Sequence, residues 1–153
     1  LDEAVVVAER SVSVNYKHTQ TGGWLWSAAV LPAPALFLVG LAVGKALLFF
    51  FGATALAGVG WVFSSMTIEV TPAELIWFFG PGVWRKTLAR TDIIGVTVAR
   101  NKWWWGWGIH LTPHGWLYNV AGLDAVEIAL KNGRTLRLGS DEPAKLVRIL
   151  ADG

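Results

Sequence analysis

Two histidines, His110 and His114, stand four residues apart in the tract RNKWWWGWGIHLTPHGWLYNVAGL, Arg100 to Leu123. On a helix that spacing puts both imidazoles on one face and suits zinc. Here the pair reads as a strand and its following turn, which aim their side chains differently, and no cysteine or paired carboxylate supports them. Serine, histidine and aspartate all occur, yet no nucleophile elbow or glycine-rich phosphate loop frames them, and "GPG" and "GWG" read as turns. Asp92, Asp124 and Glu127 are single acids beside turns or on a strand face. Neither a catalytic constellation, a metal nor a cofactor is expected.

The chemistry that the tract does offer is aromatic and cationic. Trp103, Trp104, Trp105, Trp107 and Trp116 fall within fourteen residues, flanked by Arg100 and Lys102, with Arg85 and Lys86 one hairpin upstream. Side chains alternate faces along a strand, so the consecutive Trp103, Trp104 and Trp105 cannot share one core. Two arrangements remain open. In one, a ring or two fills the interior near Trp116 and Tyr118 while the rest cover the junction with the preceding apolar segment. In the other, Arg100, Lys102, Trp103, Trp104, Trp105 and Trp107 form an exposed binding loop, with Arg85 and Lys86 as basic neighbours, suited to a lipid interface or a protein partner. From Ser64 onward ten Lys or Arg face eight Asp or Glu, too even a balance for a phosphate-tracking surface, so nucleic acid is not an expected partner.

The elements that must position this loop begin with an apolar segment. The chain is 54% apolar and 16% charged, against roughly 45–50% and about 25% in ordinary soluble domains. The excess lies between Trp24 and Phe63, where forty residues carry one charge, Lys45. A single helix of that length would run roughly 60 Å against a hydrocarbon core of about 30 Å. The expectation is therefore two transmembrane spans, Trp24–Val43 and Ala46–Phe63, turning at Gly44 and Lys45, with Trp24, Trp26 and Trp61 at the water boundary. Pro32 and Pro34 predict a kink, and Gly40, Gly44, Gly52, Ala53, Ala57, Gly58 and Gly60 permit close helix approach. The first apolar run is longer than a signal-peptide core and is followed at once by a second, so it is read as a span. A thin Lys and Arg bias, with Arg10 and Lys17 ahead of the first span, puts both termini in the cytoplasm of a multi-pass inner-membrane protein. Zero cysteines fits a reducing compartment.

After Ser64 the pattern becomes short alternating runs with frequent turn signals. Candidate strands are 66–70, 74–79, 83–88, 93–100, 107–112, 115–120, 125–130 and 134–138, with Asn132-Gly133 as a two-residue hairpin turn that needs positive φ at both positions. Residues 4–8 and 11–17 read as further strands added to the sheet edge. "SDEPAKLVRILADG" reads as one helix capped by Ser140 or Asp141, with Leu146, Ile149 and Leu150 inward. The domains are thus 1–23, an N-terminal strand segment; 24–63, a helical hairpin; and 64–153, an antiparallel sheet or barrel with a C-terminal helix.

An apolar hairpin followed by "TIEVTPAELIWFFGPGVWRKTLARTDIIGV" and "LKNGRTLRLGSDEPAKLVRIL" resembles the membrane-anchored bacterial PH-like domain proteins, over about 130 residues. That resemblance implies an α+β membrane protein whose two-helix anchor carries a bent PH-like sheet of seven strands, one fewer than the eight candidates, closed by the last helix. It also implies binding or assembly without catalysis. The expected role is an accessory or scaffold module at the cytoplasmic membrane face, partnered by lipids and by a larger membrane complex or its own copies; the alternative is a lipid sensor using the Trp-rich basic loop. Thr71, Pro72, Ala73 and Glu74 in the first hairpin turn offer one acid and no cation, which argues against headgroup-specific lipid recognition.

Overall fold

A computed structural model describes residues 14–152. The apolar segment forms three helices, α1 (Gly23–Val30), α2 (Ala33–Ala42) and α3 (Ala46–Val62). Pro34 lies in the first turn of α2 and Pro32 is its capping residue, where a missing backbone donor costs nothing. The same prolines prevent α1 from continuing, so the first expected span is two helices of 8 and 10 residues. The 17 residues of α3 rise about 25 Å, short of a hydrocarbon core of about 30 Å. Among the described residues no helix is long and apolar enough to cross a membrane. Those lengths overturn the two-span anchor. With it go the membrane-protein fold class, the resemblance to anchored PH-like proteins, and the multi-pass inner-membrane localisation with cytoplasmic termini. Summed apolarity over forty residues concealed where the prolines divide it.

The α2–α3 turn falls at Gly44, with φ +70°, and the Lys45 amide donates to the Gly40 carbonyl at 2.8 Å. Gly40 lets the two helices meet: a Cβ there would stand 2.7 Å from the Phe49 Cβ. Thr54 and Ser27 return their hydroxyls to the carbonyls of Phe50 and Gly23, four residues back, so neither offers a free polar group to its surroundings.

The helices are an insertion between two paired strands. β1 (Tyr16–Thr21) runs antiparallel to β2 (Ser65–Val70), with Thr21 opposite Ser65, and the Gly22 amide donates to the Ser64 carbonyl at 2.6 Å. β3 (Glu74–Phe79) and β4 (Val83–Ala89) complete a four-stranded sheet ordered β1-β2-β3-β4. The second sheet takes β5 (Ile93–Arg100), β6 (Gly108–Thr112), β7 (Gly115–Asn119), β8 (Asp124–Leu130) and β9 (Thr135–Gly139) in the order β5-β8-β9-β7-β6. Every pairing is antiparallel except β7 with β9. The eight strand candidates after the helices are all present, but they divide between two separate sheets and no barrel closes, which corrects the PH-like sheet or barrel. β1 lies a few residues beyond the expected 11–17, and the 4–8 candidate falls outside the described residues.

The core lies where the two sheets face each other. Met66, Ile68, Val70, Leu75, Trp77 and Phe79 from the first meet Tyr118, Val120, Val126, Ile128, Leu136 and Leu138 from the second. Each such side chain taken from water stabilises the fold by about 1.5–3 kcal/mol. Period-2 alternation explains the choice, because Met66, Ile68 and Val70 share one strand face. α4 (Pro143–Ala151) adds Leu146 and Leu150. Its N-cap is Glu142, with no side-chain cap, rather than Ser140 or Asp141; the Ser140 hydroxyl instead accepts from the Glu142 amide at 3.1 Å and turns the chain into the helix. At the other end the Arg90 guanidinium donates to the Ile149 and Leu150 carbonyls at 3.1 and 3.2 Å, satisfying groups that α4 leaves open.

Candidate binding surface

The tryptophan tract is a loop between β5 and β6. Its first anchor is Asn101, buried, whose amide donates to the Leu123 carbonyl at 2.6 Å. The chain then makes one 3-10 turn over Trp103–Trp105 and leaves through Gly106, at φ +72°, a conformation that β-branched and bulky residues resist. Consecutive rings in so tight a turn must diverge, and they do. Trp103 and Trp104 meet edge to face at 5.8 Å and stay 70% and 60% exposed. The Lys102 ammonium stands 5.1 Å over the Trp104 ring and 6.0 Å from that of Trp105. Arg100, at the end of β5, is exposed.

Trp105 turns back toward the sheet. Its ring lies 5.2 Å from the Arg137 guanidinium, and Arg137 forms a two-point pair with one Glu127 oxygen at 2.6 and 2.7 Å. Glu127 also faces His114 Nδ1 at 3.5 Å, and the His114 ring lies 5.7 Å from Trp105. Arg137 further donates to the Asn101 side-chain oxygen at 3.5 Å. Trp105, Arg137, Glu127, His114 and Asn101 therefore make one polar cluster beneath the loop, on the sheet face away from the core. Sequence reasoning missed Arg137 and Asn101. The available signal was Arg137 between Leu136 and Leu138, which strand alternation turns away from the core while burial still holds it.

Trp107 goes to a third place. Its ring meets Trp24 of α1 edge-on at 4.5 Å, and it joins Ala28, Leu56, Val59, Phe63 and Ile109 around an apolar groove of about 470 Å3 between the helices and β6. Both sequence arrangements thus hold in part: Trp105 and Trp107 pack, while Trp103 and Trp104 are exposed. Trp116 is exposed beside Leu111, its cross-strand neighbour. Arg85 and Lys86 are not part of this cluster. They lie on β4 of the other sheet, where Arg85 reaches Glu69 at 3.4 Å and sits 5.1 Å over the Phe78 ring.

His110 and His114 are also separated by function: His110 Nε2 bonds the Trp107 carbonyl at 2.5 Å, whereas His114 turns to Glu127. Among the described residues no group of three or more His, Cys, Asp or Glu could hold a metal ion.

The larger unsatisfied surface is the helical layer. Leu31 is 77% exposed and Leu47 74%, and Leu38, Leu41, Leu48, Phe51, Val59 and Trp61 are all exposed as well. Isolated apolar side chains on a surface are ordinary, but a contiguous set of this kind marks a place that something covers.

No family model matches the chain, and no curated protein matches it.

Proposed function

We propose that the protein is a non-catalytic binding and assembly module that docks an apolar protein surface on its helical layer. The observation carrying this reading is the density of exposed leucine and phenylalanine on α2 and α3, which a single chain leaves facing water. The sheets then act as the rigid base, tied to the helices through Phe63, whose ring lies 5.1 Å from the buried Phe79. The test is native mass measurement of the gently extracted protein. A stoichiometric complex that Leu47→Lys together with Phe51→Lys dissolves supports the reading; a single chain that stays dispersed without detergent overturns it.

A second reading rests on a different observation, the exposed Trp103 and Trp104 beside Lys102 and Arg100. Rings of this kind gain at headgroup depth, and each nearby cation adds about 1 kcal/mol at an anionic lipid surface. Because the chain has no cysteine, Trp104→Cys carries a single polarity-sensitive dye. Blue-shifted, salt-sensitive emission on vesicles rich in anionic lipid supports this reading, and emission indifferent to vesicles removes it.

A further inference from the structure

The longest strand of the protein is β5, and it is an edge. Its eight residues pair only with β8 among the described residues, leaving one side of the strand without a partner. The alternation of an antiparallel ladder identifies the open groups. The Asn101 amide bonds the Leu123 carbonyl on the β8 side, so Ala99 and Thr97 also turn their backbone groups to β8, and Val96, Val98 and Arg100 turn theirs outward. Edge strands are normally guarded by charge, irregularity or cover. β1 carries Lys17 and His18, and β4 carries Arg85 and Lys86 behind Trp84, held at φ +57°. β6 has five residues and carries His110. β5 has no charged residue from Ile93 to Ala99, and Ile94 and Val98 are 64% and 56% exposed. Its one irregularity is the register shift between Ile93 and Gly95, which leaves the ladder from Val96 to Arg100 regular.

The strand's own ends say which partner fits. Turned about a two-fold axis through Val96, β5 meets a copy of itself antiparallel, with Val96 opposite Val96 and Ile94 opposite Val98. The same register brings exposed Asp92 next to exposed Arg100, once at each end. Shifting by one pair sets Arg100 against Ile94 and leaves both acids alone. A closed two-fold contact uses one self-complementary patch twice, and this strand supplies apolar residues at the centre and opposite charges at the rim.

We propose that β5 is a self-association edge, at which two copies of the chain join their five-stranded sheets into one continuous sheet. This surface is distinct from the helical layer and does not depend on what covers that layer. The test is sedimentation equilibrium of the full chain in a mild non-ionic detergent, which occupies the apolar helices and leaves backbone edges free to pair. A two-chain particle is expected. Val98→Lys, which puts a charge on an exposed edge position, should convert it to single chains with unchanged circular dichroism. Asp92→Arg and Arg100→Asp should each weaken the dimer by about tenfold through like-charge contact at both ends, and the double variant should recover it. Single chains in detergent overturn the proposal, as does a dimer indifferent to Val98→Lys and to the charge swap. Association seen only without detergent also overturns it, and assigns assembly to the helical layer instead.

Discussion

The Trp105 ring covers the guanidinium of Arg137, with 5.2 Å between the guanidinium carbon and the ring centroid. One tryptophan of the tract is thereby fastened to the sheet while its two predecessors are free. Trp105→Ala should destabilise the protein by about 1–2 kcal/mol, the range for a partly desolvated cation over an indole. Trp103→Ala and Trp104→Ala should stay within about 0.5 kcal/mol, as exposed positions do. Chemical denaturation of the three variants checks the contrast.

Arg137 is buried to 8% side-chain exposure and depends on Glu127 for its compensating charge. Glu127→Ala leaves that guanidinium without an ionic partner and should cost about 3 kcal/mol. Replacing both, Glu127→Leu with Arg137→Met, should return most of the loss, because two apolar groups need no pairing. A denaturant series on the single and double variants measures the coupling directly.

Tyr16 is buried beside Glu142, which its hydroxyl faces at 3.5 Å, and Asp141. Burial first, and those two carboxylates second, push its phenol up from 10.0 to about 12. The unfolded chain therefore releases this proton earlier than the folded one, so the contribution is present below pH 10 and is lost as pH rises toward about 12. Tyr16→Phe should flatten the alkaline fall in melting temperature over that window. Tyr118, raised by burial as well, should leave a residual slope.

Two glycines with positive φ separate strain from collision. Gly115, at φ +86°, starts β7, and a Cβ there would fall 1.8 Å from the Thr135 carbonyl oxygen. Gly133, at φ +77°, has open space around it. Gly133→Ala should cost about 1 kcal/mol from backbone strain alone, and Gly115→Ala several times more, since it also forces β7 and β9 apart. Melting temperatures of the two variants, compared under one condition, check the ordering.

The Gly133 turn also shows how far the sequence could be read. A hairpin at Lys131-Asn132-Gly133 was legible from the Asn-Gly pair, and it joins β8 to β9. Its geometry was not. Only Gly133 takes positive φ, Leu130 and Arg134 are bonded across a three-residue loop, and the Asn132 side chain accepts from the Arg134 amide at 3.0 Å. Local patterns locate strands, because alternation is a property of neighbours along the chain. They do not say that β9 inserts between β8 and β7, which depends on residues twenty positions apart. The apolar segment misled for a related reason: hydropathy sums over a window, whereas Pro32 and Pro34 act at single bonds. Of the binding loop, the residue types were legible, but the division of labour among Trp103, Trp104, Trp105 and Trp107 follows from one 3-10 turn that no periodicity announces.

The helical layer leaves the sheet at Thr21 and returns at Ser65, residues that face each other across a strand ladder, with the Gly22 amide and the Ser64 carbonyl already joined. In engineering terms it is a cassette, held by two adjoining ends. The forty-three residues from Gly22 to Ser64 occupy the place that a short hairpin loop would fill, and because loop-closure entropy grows only slowly with length, β1 and β2 tolerate either. A tight turn there, with a polar residue set over the exposed edge of Phe79, would yield the two sheets as a free-standing scaffold. Other helical inserts could then be grafted between Thr21 and Ser65 without altering the strands that hold them.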